Sequence, residues 1–208
     1  NDNDILIQDT TNTIYLVSTS GNIKWKRKIS GKIINDISKV DIYQNGKYQM
    51  LFNTSSKLYL LDVLGRDVES FPKILNDATN SVSAVDYVNN GDYRFLVATK
   101  DGILNFNKEG QQINGWKDPK TESETKTPLR HILTNTKDYL FTNDVNGNVY
   151  LFSRQGDIRY EVSSNFTGSY FPIDIGNSIE ESRGIYWDKS INQLRKHFFN
   201  NEISTIII

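Results

Sequence analysis

The chain has 208 residues, a formal net charge of −1 at pH 7 and no cysteine. The lack of cysteine excludes disulfide bonds, thiolate metal ligands and a cysteine nucleophile. The 24 basic residues are balanced by 25 acidic residues. This argues against a nucleic-acid-binding protein, because phosphate neutralisation needs an excess or a stripe of basic side chains. No apolar run approaches the roughly 18 residues of a membrane-spanning helix, and Asn1–Asp4 carries no basic or apolar signal region.

Short apolar or alternating segments that lead into a turn glycine recur along the chain. The glycines are Gly21, Gly65, Gly110 and Gly156, at spacings of 44, 45 and 46 residues. Asn201 takes the same place 45 residues further on, and asparagine is the next-best residue for a positive φ angle. A fixed period of this length predicts a repeat architecture.

A second landmark repeats with the same period. Val40–Tyr48 reads VDIYQNGKY, and Val85–Tyr93, 45 residues later, reads VDYVNNGDY. An Asn-Gly pair between alternating segments favours a type I′ hairpin turn, in which both central residues have positive φ. Two landmarks that share one period indicate a true internal repeat.

Each repeat is predicted to form four short strands. In the second repeat we expect strands near 33–43, 48–53, 57–63 and 66–71. Turn signals at this spacing predict an all-β fold, and no segment shows a helical period with caps. Four strands in 40 to 50 residues are typical of a β-propeller blade, whereas immunoglobulin-like sandwiches would repeat at about 100 residues.

We therefore predict an all-β fold, a β-propeller of four-stranded antiparallel blades, with a single propeller domain or fragment over residues 1–208. The five repeats are 4–29, 33–72, 81–116, 129–162 and 169–208. The first repeat aligns from Asp4 with strand two, so it lacks an inner strand. We expect part of a larger propeller, or a ring closed by residues outside this sequence; a five-bladed ring is the alternative.

The segment Ser18–Trp25 resembles the repeat of quinoprotein-like propellers, which carries a tryptophan four residues after its glycine. Gly156 and Tyr160 keep this spacing with a different aromatic residue. Glu69 and Asn114 stand at the tryptophan position of the other two turns. The tryptophan–aspartate repeat family is a poorer match. The resemblance implies a propeller fold and does not imply a quinone cofactor.

The patterns of Leu58–Pro72 and Asp86–Val97 look like those of the propeller portion of uncharacterised bacterial cell-envelope proteins, which are often lipoproteins. This resemblance implies a place in the periplasm or at the outer membrane, with an unassigned role. An anchor upstream of this sequence belongs to the same hypothesis.

The sequence shows no catalytic constellation. His131 and His197 fall on predicted strands of different repeats, without a serine or cysteine motif nearby. Phosphate-binding glycine motifs are missing, and the loop residues Glu180 and Glu181 have no obvious partner for acid–base chemistry. We predict a protein that is not an enzyme and has no cofactor, in which both histidines have structural or surface roles.

The two Asn-Gly turns are the candidate metal sites. A calcium loop places oxygen ligands at alternate positions before a glycine. Asp41 and Asn45 keep two of these positions in the first turn, and Asp86 and Asn90 keep them in the second. Tyrosine and valine replace the middle ligand, and calcium takes six to eight oxygens. We therefore interpret both segments as hairpin turns rather than calcium sites.

Aromatic residues also recur at equivalent positions, which favours packing between blades over a ligand platform, because a packing requirement repeats with the fold. One set is Tyr48, Tyr93 and Tyr139, and the other is Trp25, Phe71, Trp116 and Tyr160.

The function that the sequence favours is a non-catalytic interaction or scaffold module of a bacterial envelope protein. It would bind a protein partner through a disc face or through the polar segment 117–127, which is predicted to be an inter-strand loop on one face. The alternative is a ligand-binding or enzymatic propeller that holds a sugar or a quinone in its central channel. A cytoplasmic scaffold is a third hypothesis.

Overall fold

The computed structural model describes residues 4–135, 137–162, 173–188, 191–200 and 202–205. Within these ranges every regular element is a β-strand, and the strands form five antiparallel sheets. In each sheet, strands that are consecutive in the sequence pair with each other. The chain divides into two compact units, Asn1–Asn114 with three of the sheets and Gly115–Ile208 with the other two.

The first unit begins with a sheet of β1 (Ile5–Gln8), β2 (Thr13–Val17) and β3 (Ile23–Lys28). The second sheet consists of β4 (Ser38–Val40), β5 (Gln49–Asn53), β6 (Lys57–Leu61) and β7 (Lys73–Ile74). The third sheet consists of β8 (Ser83–Val85), β9 (Arg94–Thr99) and β10 (Gly102–Asn107).

In the second unit, the fourth sheet consists of β11 (Arg130–Leu133), β12 (Asp138–Asn143), β13 (Val149–Phe152) and β14 (Ile158–Val162). The fifth sheet consists of β15 (Ile173–Asp174), β16 (Arg183–Asp188), β17 (Gln193–Phe198) and β18 (Ile203–Thr205). Helices that could cross a membrane are not found in the described part of the chain.

The all-β prediction and the propeller-type repeat are confirmed, with one displaced strand. The fourth strand of the second repeat was expected at 66–71, but β7 lies at Lys73–Ile74. Residues before it contribute only an isolated bridge between Leu61 and Asp67. A turn interrupts the strand, because the Phe71 amide donates to the carbonyl of Val68. In the third repeat the outer strand is reduced to a bridge between Phe106 and Gln112.

The recurring glycine closes the same turn in four repeats. Its φ lies between 73° and 89°, and its amide donates to the carbonyl three residues earlier at 2.9–3.1 Å. The side-chain oxygen of that earlier residue accepts the amide of the residue after the glycine, a local turn that Asp, Asn and Ser favour. The acceptors are Ser18, Asp62, Asn107 and Ser153, at 2.8–3.1 Å.

Alternate side chains of the strands fill two apolar layers in the first unit. Phe52, Tyr59 and Leu61 of the second sheet pack with Ile14 of the first sheet. Their sequence neighbours point to the opposite side, as the two-residue period of a strand requires. There, residues such as Leu60 pack against the third sheet. Burial of each such side chain contributes about 1.5–3 kcal/mol.

The second unit has an equivalent layer between its two sheets. Phe141 and Leu151 of the fourth sheet pack with Ile179 and Phe199. The rings of Phe141 and Phe199 stack with centroids 6.0 Å apart. Blade-to-blade packing therefore follows one scheme in both units.

Ring side chains from one sheet, or from the connection after it, cover the turn glycine of the next sheet. A Cβ atom built on Gly65 would lie 2.7 Å from Cδ2 of Trp25. The indole nitrogen of Trp25 donates to the carbonyl of Val63 at 2.9 Å. These contacts give the aromatic residues after the turn glycine a packing role between blades. Equivalent covers are Phe71 over Gly110 and, within the second unit, Pro119 over Gly156.

An ion pair accompanies two of these covers. The guanidinium of Arg27 lies 2.6 and 2.8 Å from the two carboxylate oxygens of Asp67. Lys117 forms the corresponding pair with Asp157, 90 residues further on at both positions. A basic residue and an acid 40 residues later, just after the turn glycine, thus recur with the fold.

The polar segment 117–127 runs along the fourth sheet, from the turns at one end of its strands to the turns at the other end. The prediction that it lies on one face is therefore wrong. At one end the Lys117 amide donates to the carbonyl of Gln155, in the β13–β14 turn. At the other end the Val145 amide, in the β12–β13 turn, donates to the carbonyl of Glu124. Backbone hydrogen bonds at both ends fix this connection against the sheet.

Candidate interaction surface

One edge of the first unit carries the turns that the sequence singled out. In an antiparallel sheet of consecutive strands, the turns after strands one and three leave from the same edge. In the second and third sheets these are 41–46 and 62–66, and 86–91 and 107–111. We call this side of the unit, where the strand ends meet these turns, the turn edge; the term does not refer to an edge strand.

The carboxylate of Asp41 organises the first of these turns. Its Oδ1 accepts the amide of Asn45 at 3.2 Å, and its Oδ2 accepts the amide of Gly46 at 2.7 Å. The side-chain oxygen of Asn45 accepts the amide of Lys47 at 3.0 Å. The oxygens considered as calcium ligands are thus hydrogen-bonded to the backbone of their own turn.

Asp86 repeats this arrangement in the third sheet. Its two carboxylate oxygens accept the amides of Asn90 and Gly91 at 3.1 and 2.7 Å. The side-chain oxygen of Asn90 accepts the amide of Asp92 at 3.0 Å. Two turns 45 residues apart in the sequence therefore have the same hydrogen-bonding scheme.

The prediction of a type I′ turn with two central positive φ angles at Asn-Gly is wrong. In the first turn, φ is +52° at Gln44 and +74° at Gly46. In the second, φ is +54° at Asn89 and +74° at Gly91. The physical reason is the aspartate, which accepts the two amides of the Asn-Gly pair and fixes a wider turn than a two-residue hairpin.

The two turns meet at a shared cleft. The side-chain amide of Gln44 donates to the carbonyl of Asn90. Asp41 and Asp86 both line the cleft, which has a volume of about 400 Å³. In the described ranges, no three His, Asp or Glu side chains come close enough together to hold a metal ion.

A second cleft of about 390 Å³ opens on the same edge. The ammonium of Lys108 lies at its wall and is 3.4 Å from the carbonyl of Ile42. Ser70 in the wall has φ +72°, which is uncommon for a residue other than glycine. The remaining lining residues are Tyr43, Val68, Glu69 and Glu109.

Five exposed apolar side chains lie in the turns of this edge or directly after them. Tyr48 was predicted to be a packing residue like Tyr93 and Tyr139, but 55 % of it is exposed. The difference has a local cause: Tyr93 stacks on Phe95, two residues further along the chain, whereas Met50 stands at the corresponding position after Tyr48. The other exposed apolar residues of the edge are Tyr43, Val63, Leu64 and Val88, each 56–62 % exposed.

Sequence reasoning missed a charged cluster in the second unit. Asp138 is buried, and its Oδ2 contacts Nε of Arg154 and, at 3.1 Å, Nε2 of His131. Arg159 donates to its Oδ1 at 3.2 Å and to its carbonyl at 2.6 Å. Burial raises the pKa of Asp138, but the hydrogen bonds from Arg154 and His131 outweigh it, so the pKa lies below its usual value.

The other histidine belongs to a different sheet. His197 lies on β17, only 1 % exposed, and its backbone pairs with Gly184 and Ile203. Burial, and then the nearby charge of Arg195, lowers its pKa. The structure places the two histidines on different sheets, as the sequence predicted. Glu180 and Glu181 lie in the loop before β16 and are exposed.

Solved structures of low sequence identity share this fold. BBS1N in complex with ARL6DN matches 98 % of this chain with a TM-score of 0.59 and 13 % identity, over 60 % of its own length. The Neurospora crassa Pan2 WD40 domain matches all of this chain with a TM-score of 0.56 and 13 % identity, over 62 % of its length. The V. cholerae biofilm matrix protein Bap1 matches 96 % of it with a TM-score of 0.63 and 13 % identity, over 34 % of its length.

These likenesses show that the chain has a β-propeller fold. It spans 60 % of the length of the BBS1N chain and about a third of that of Bap1. No family model and no curated protein sequence matches the chain.

Proposed function

We propose that this chain is a non-catalytic interaction module that binds a protein partner through the turn edge of its first unit. The observation that carries the proposal is the group of exposed apolar side chains on that edge. Tyr43 lines one cleft, Val88 lies in the turn 86–91 and Tyr48 follows the turn 41–46, and each is more than half exposed. Contiguous exposed apolar surface marks interaction sites, and tyrosine is enriched among the residues that dominate binding energy.

The charges of the edge indicate the chemistry of the partner. Asp41 and Asp86 line one cleft, and Glu69, Glu109 and Lys108 line the other. The described lining residues thus carry four carboxylates and one ammonium group. We expect a partner with an apolar centre and basic side chains at its rim, because opposite potentials steer association and select partners.

The proposal extends to the location of the protein. The repeat resembles those of bacterial envelope proteins, and Bap1, which shares the fold, is a biofilm matrix protein. Both support a module of the periplasm or outer membrane. Fractionation of cells that express the natural gene tests this part, and recovery in the cytoplasmic fraction would contradict it.

The binding surface can be tested with a photo-crosslinking amino acid at position 88 in living cells. We expect a crosslinked protein at position 88 and not at position 74. Ile74 is the matched control because it is 84 % exposed but lies on β7. Partner identification by mass spectrometry then allows a binding assay with Val88→Asp and Ile74→Asp.

In that assay we expect Val88→Asp to weaken binding about tenfold or more, as for a residue at the centre of an interface, and Ile74→Asp to leave it unchanged. Equal crosslinking at both positions would contradict a partner site on the turn edge. Thermal stabilisation by a sugar or a quinone, without any crosslinked protein, would favour the ligand-binding alternative.

A further inference from the structure

The two faces of the first sheet differ in their surroundings. One face packs on the second sheet through Ile14 and Trp25. The opposite face presents Ile5 and Ile7 from β1, which are 58 % and 50 % exposed. Ile23 of β3 is 59 % exposed. An apolar sheet face of this kind is usually buried against another layer.

Strand register identifies which side chains share this face with the two isoleucines of β1. Ile5 pairs with Val17, and Ile7 pairs with Tyr15. Val17 in turn pairs with Ile23, beyond a register shift between Leu16 and Val17 that separates Ile23 from the side of Trp25. Because directly paired residues of antiparallel strands project to the same side, these five residues form one surface. We call it the uncovered face.

The internal repeat shows what normally covers such a face. Ile7 corresponds to Phe52, 45 residues later, and Val17 corresponds to Leu61, 44 residues later. Phe52 and Leu61 are fully buried, and both pack with residues of the preceding sheet. In the third sheet, Phe95 is fully buried in the layer shared with its own preceding sheet. In the repeat, the position of the uncovered face is therefore occupied by a preceding blade.

The turn glycine of the first sheet is a second and independent sign. A Cβ built on Gly65 would collide with Trp25, and one built on Gly110 would lie 3.1 Å from Phe71. Among the described residues, no atom lies within 4 Å of a Cβ built on Gly21. In the part of the chain that the structure describes, no ring lies over Gly21 as Trp25 lies over Gly65.

We propose that the uncovered face is the docking surface for one further propeller blade, contributed by the same polypeptide upstream of β1. Its outer strand would carry a ring side chain that lies over Gly21, as Trp25 of β3 lies over Gly65. Its apolar face would bury Ile5 and Ile7. This docking surface is distinct from the turn edge and does not depend on the function proposed for that edge.

Charge argues against a second copy of the chain in this place. Lys26 and Lys28 pair with Tyr15 and Thr13, so their side chains project from the same side as the uncovered face. In a symmetric dimer through this face, the lysines of both copies would lie in one interface, and like charges in one contact are unfavourable. A blade of different sequence, with carboxylates opposite β3, fits better.

Single cysteines test the proposal cleanly, because the chain has none of its own. Ile7→Cys reports on the uncovered face, and Ile74→Cys is the exposed control. In the 208-residue chain we expect both thiols to react with a maleimide at similar rates. In the intact polypeptide we expect the rate at position 7 to fall about 100-fold, the protection of a site that reacts only through local opening, with no change at position 74.

Gly21→Ala provides a second readout that does not depend on thiol chemistry. In the 208-residue chain it should lower the unfolding midpoint less than Gly65→Ala does. In the intact polypeptide the two substitutions should have similar effects, because a ring would then cover both glycines.

Several outcomes would overturn the proposal. The first is equal reactivity of position 7 in both forms, and the second is the lack of any repeat upstream of β1 in the intact polypeptide. Protection of position 7 in the 208-residue chain would also overturn the proposal. Sedimentation equilibrium would then show whether a second copy or another part of the same chain covers the face. A failed crosslink at position 88 would count only against the function proposed for the turn edge.

Discussion

The indole ring of Trp25 lies directly over Gly65, the turn glycine of the following sheet. A Cβ at residue 65 would be 2.7 Å from Cδ2 of the ring, closer than real Cβ contacts allow. Glycine is therefore required at position 65 for two reasons: the backbone has a φ of +75°, and the ring occupies the space where a Cβ atom would lie. This contact explains why an aromatic residue and a glycine recur together in the sequence.

Gly65→Ala should destabilise the protein by about 2–4 kcal/mol, from left-handed backbone strain and overpacking against Trp25. Gly21→Ala is the matched control, because Gly21 has φ +82° but no described atom close to its Cβ position. We expect the control to cost only the strain, about 1–2 kcal/mol. Urea unfolding at constant m-value measures both, and equal costs would mean that the ring contact contributes nothing.

The sequence predicts part of this relationship, because the recurrence of the aromatic residues favours packing between blades. It does not indicate that Trp25 of the first repeat covers Gly65 of the second. It predicts the turns at Asp41 and Asp86 less well. Their position follows from the Asn-Gly signal, but the path of the backbone depends on which amides the aspartate accepts. Which amides bond to the carboxylate depends on the three-dimensional geometry of the turn, and the periodicity of the sequence does not indicate it.

The exposure of Tyr48 and the cluster around Asp138 could not be predicted from the sequence, for related reasons. The repeat assigns Tyr48 the same place as Tyr93, and only the residue two positions later separates a stacked ring from an exposed one. The partners of Asp138 come from three strands or turns, at residues 131, 154 and 159. Charges so far apart in the chain are brought together by strand register alone.

Removal of the Asp138 carboxylate should leave three basic side chains without their shared acid. We expect Asp138→Ala to lower the free energy of unfolding by about 2–3 kcal/mol, because partly buried basic side chains then lose the carboxylate that accepts their hydrogen bonds. Asp157→Ala is the control, since its ion pair with Lys117 is about half exposed and should be worth less than about 1 kcal/mol. Thermal and urea unfolding of both variants make the comparison, and similar small losses would contradict a stabilising role for the cluster.

The turn between β1 and β2 should make stability depend on pH in the acid range. The Asp9 carboxylate accepts the Thr13 and Thr11 amides at 2.9 and 2.8 Å and the Tyr15 hydroxyl at 3.0 Å. The backbone hydrogen bond from Thr13 is the largest influence, and the pKa of Asp9 falls from 3.8 to about 2. The folded state thus binds this proton less readily than the unfolded state.

The stabilisation from Asp9 is therefore complete above pH 3.8 and is lost as pH falls towards 2. The Asp9→Asn variant should be less stable than the wild type at pH 6, with a gap that narrows between pH 4 and pH 2. Urea unfolding at several pH values measures the gap. A gap that stays constant over this range would show that ionisation of Asp9 is not coupled to folding.

His197 should give a pH dependence near neutrality. Its pKa is lowered from 6.5 by burial and by the charge of Arg195, so the unfolded state takes up the proton more readily than the folded state. Stability from the neutral ring is then complete above pH 6.5 and declines as pH falls below it. His197→Gln removes the titrating group while it keeps a polar side chain of similar size. We expect the wild type to lose more of its unfolding free energy than this variant between pH 7 and pH 5.

His131→Gln is the matched control on the other sheet, and the variants should be compared by urea unfolding in buffers of equal ionic strength. Parallel pH profiles of the wild type and His197→Gln would show that the buried ring is not protonated on unfolding in this range.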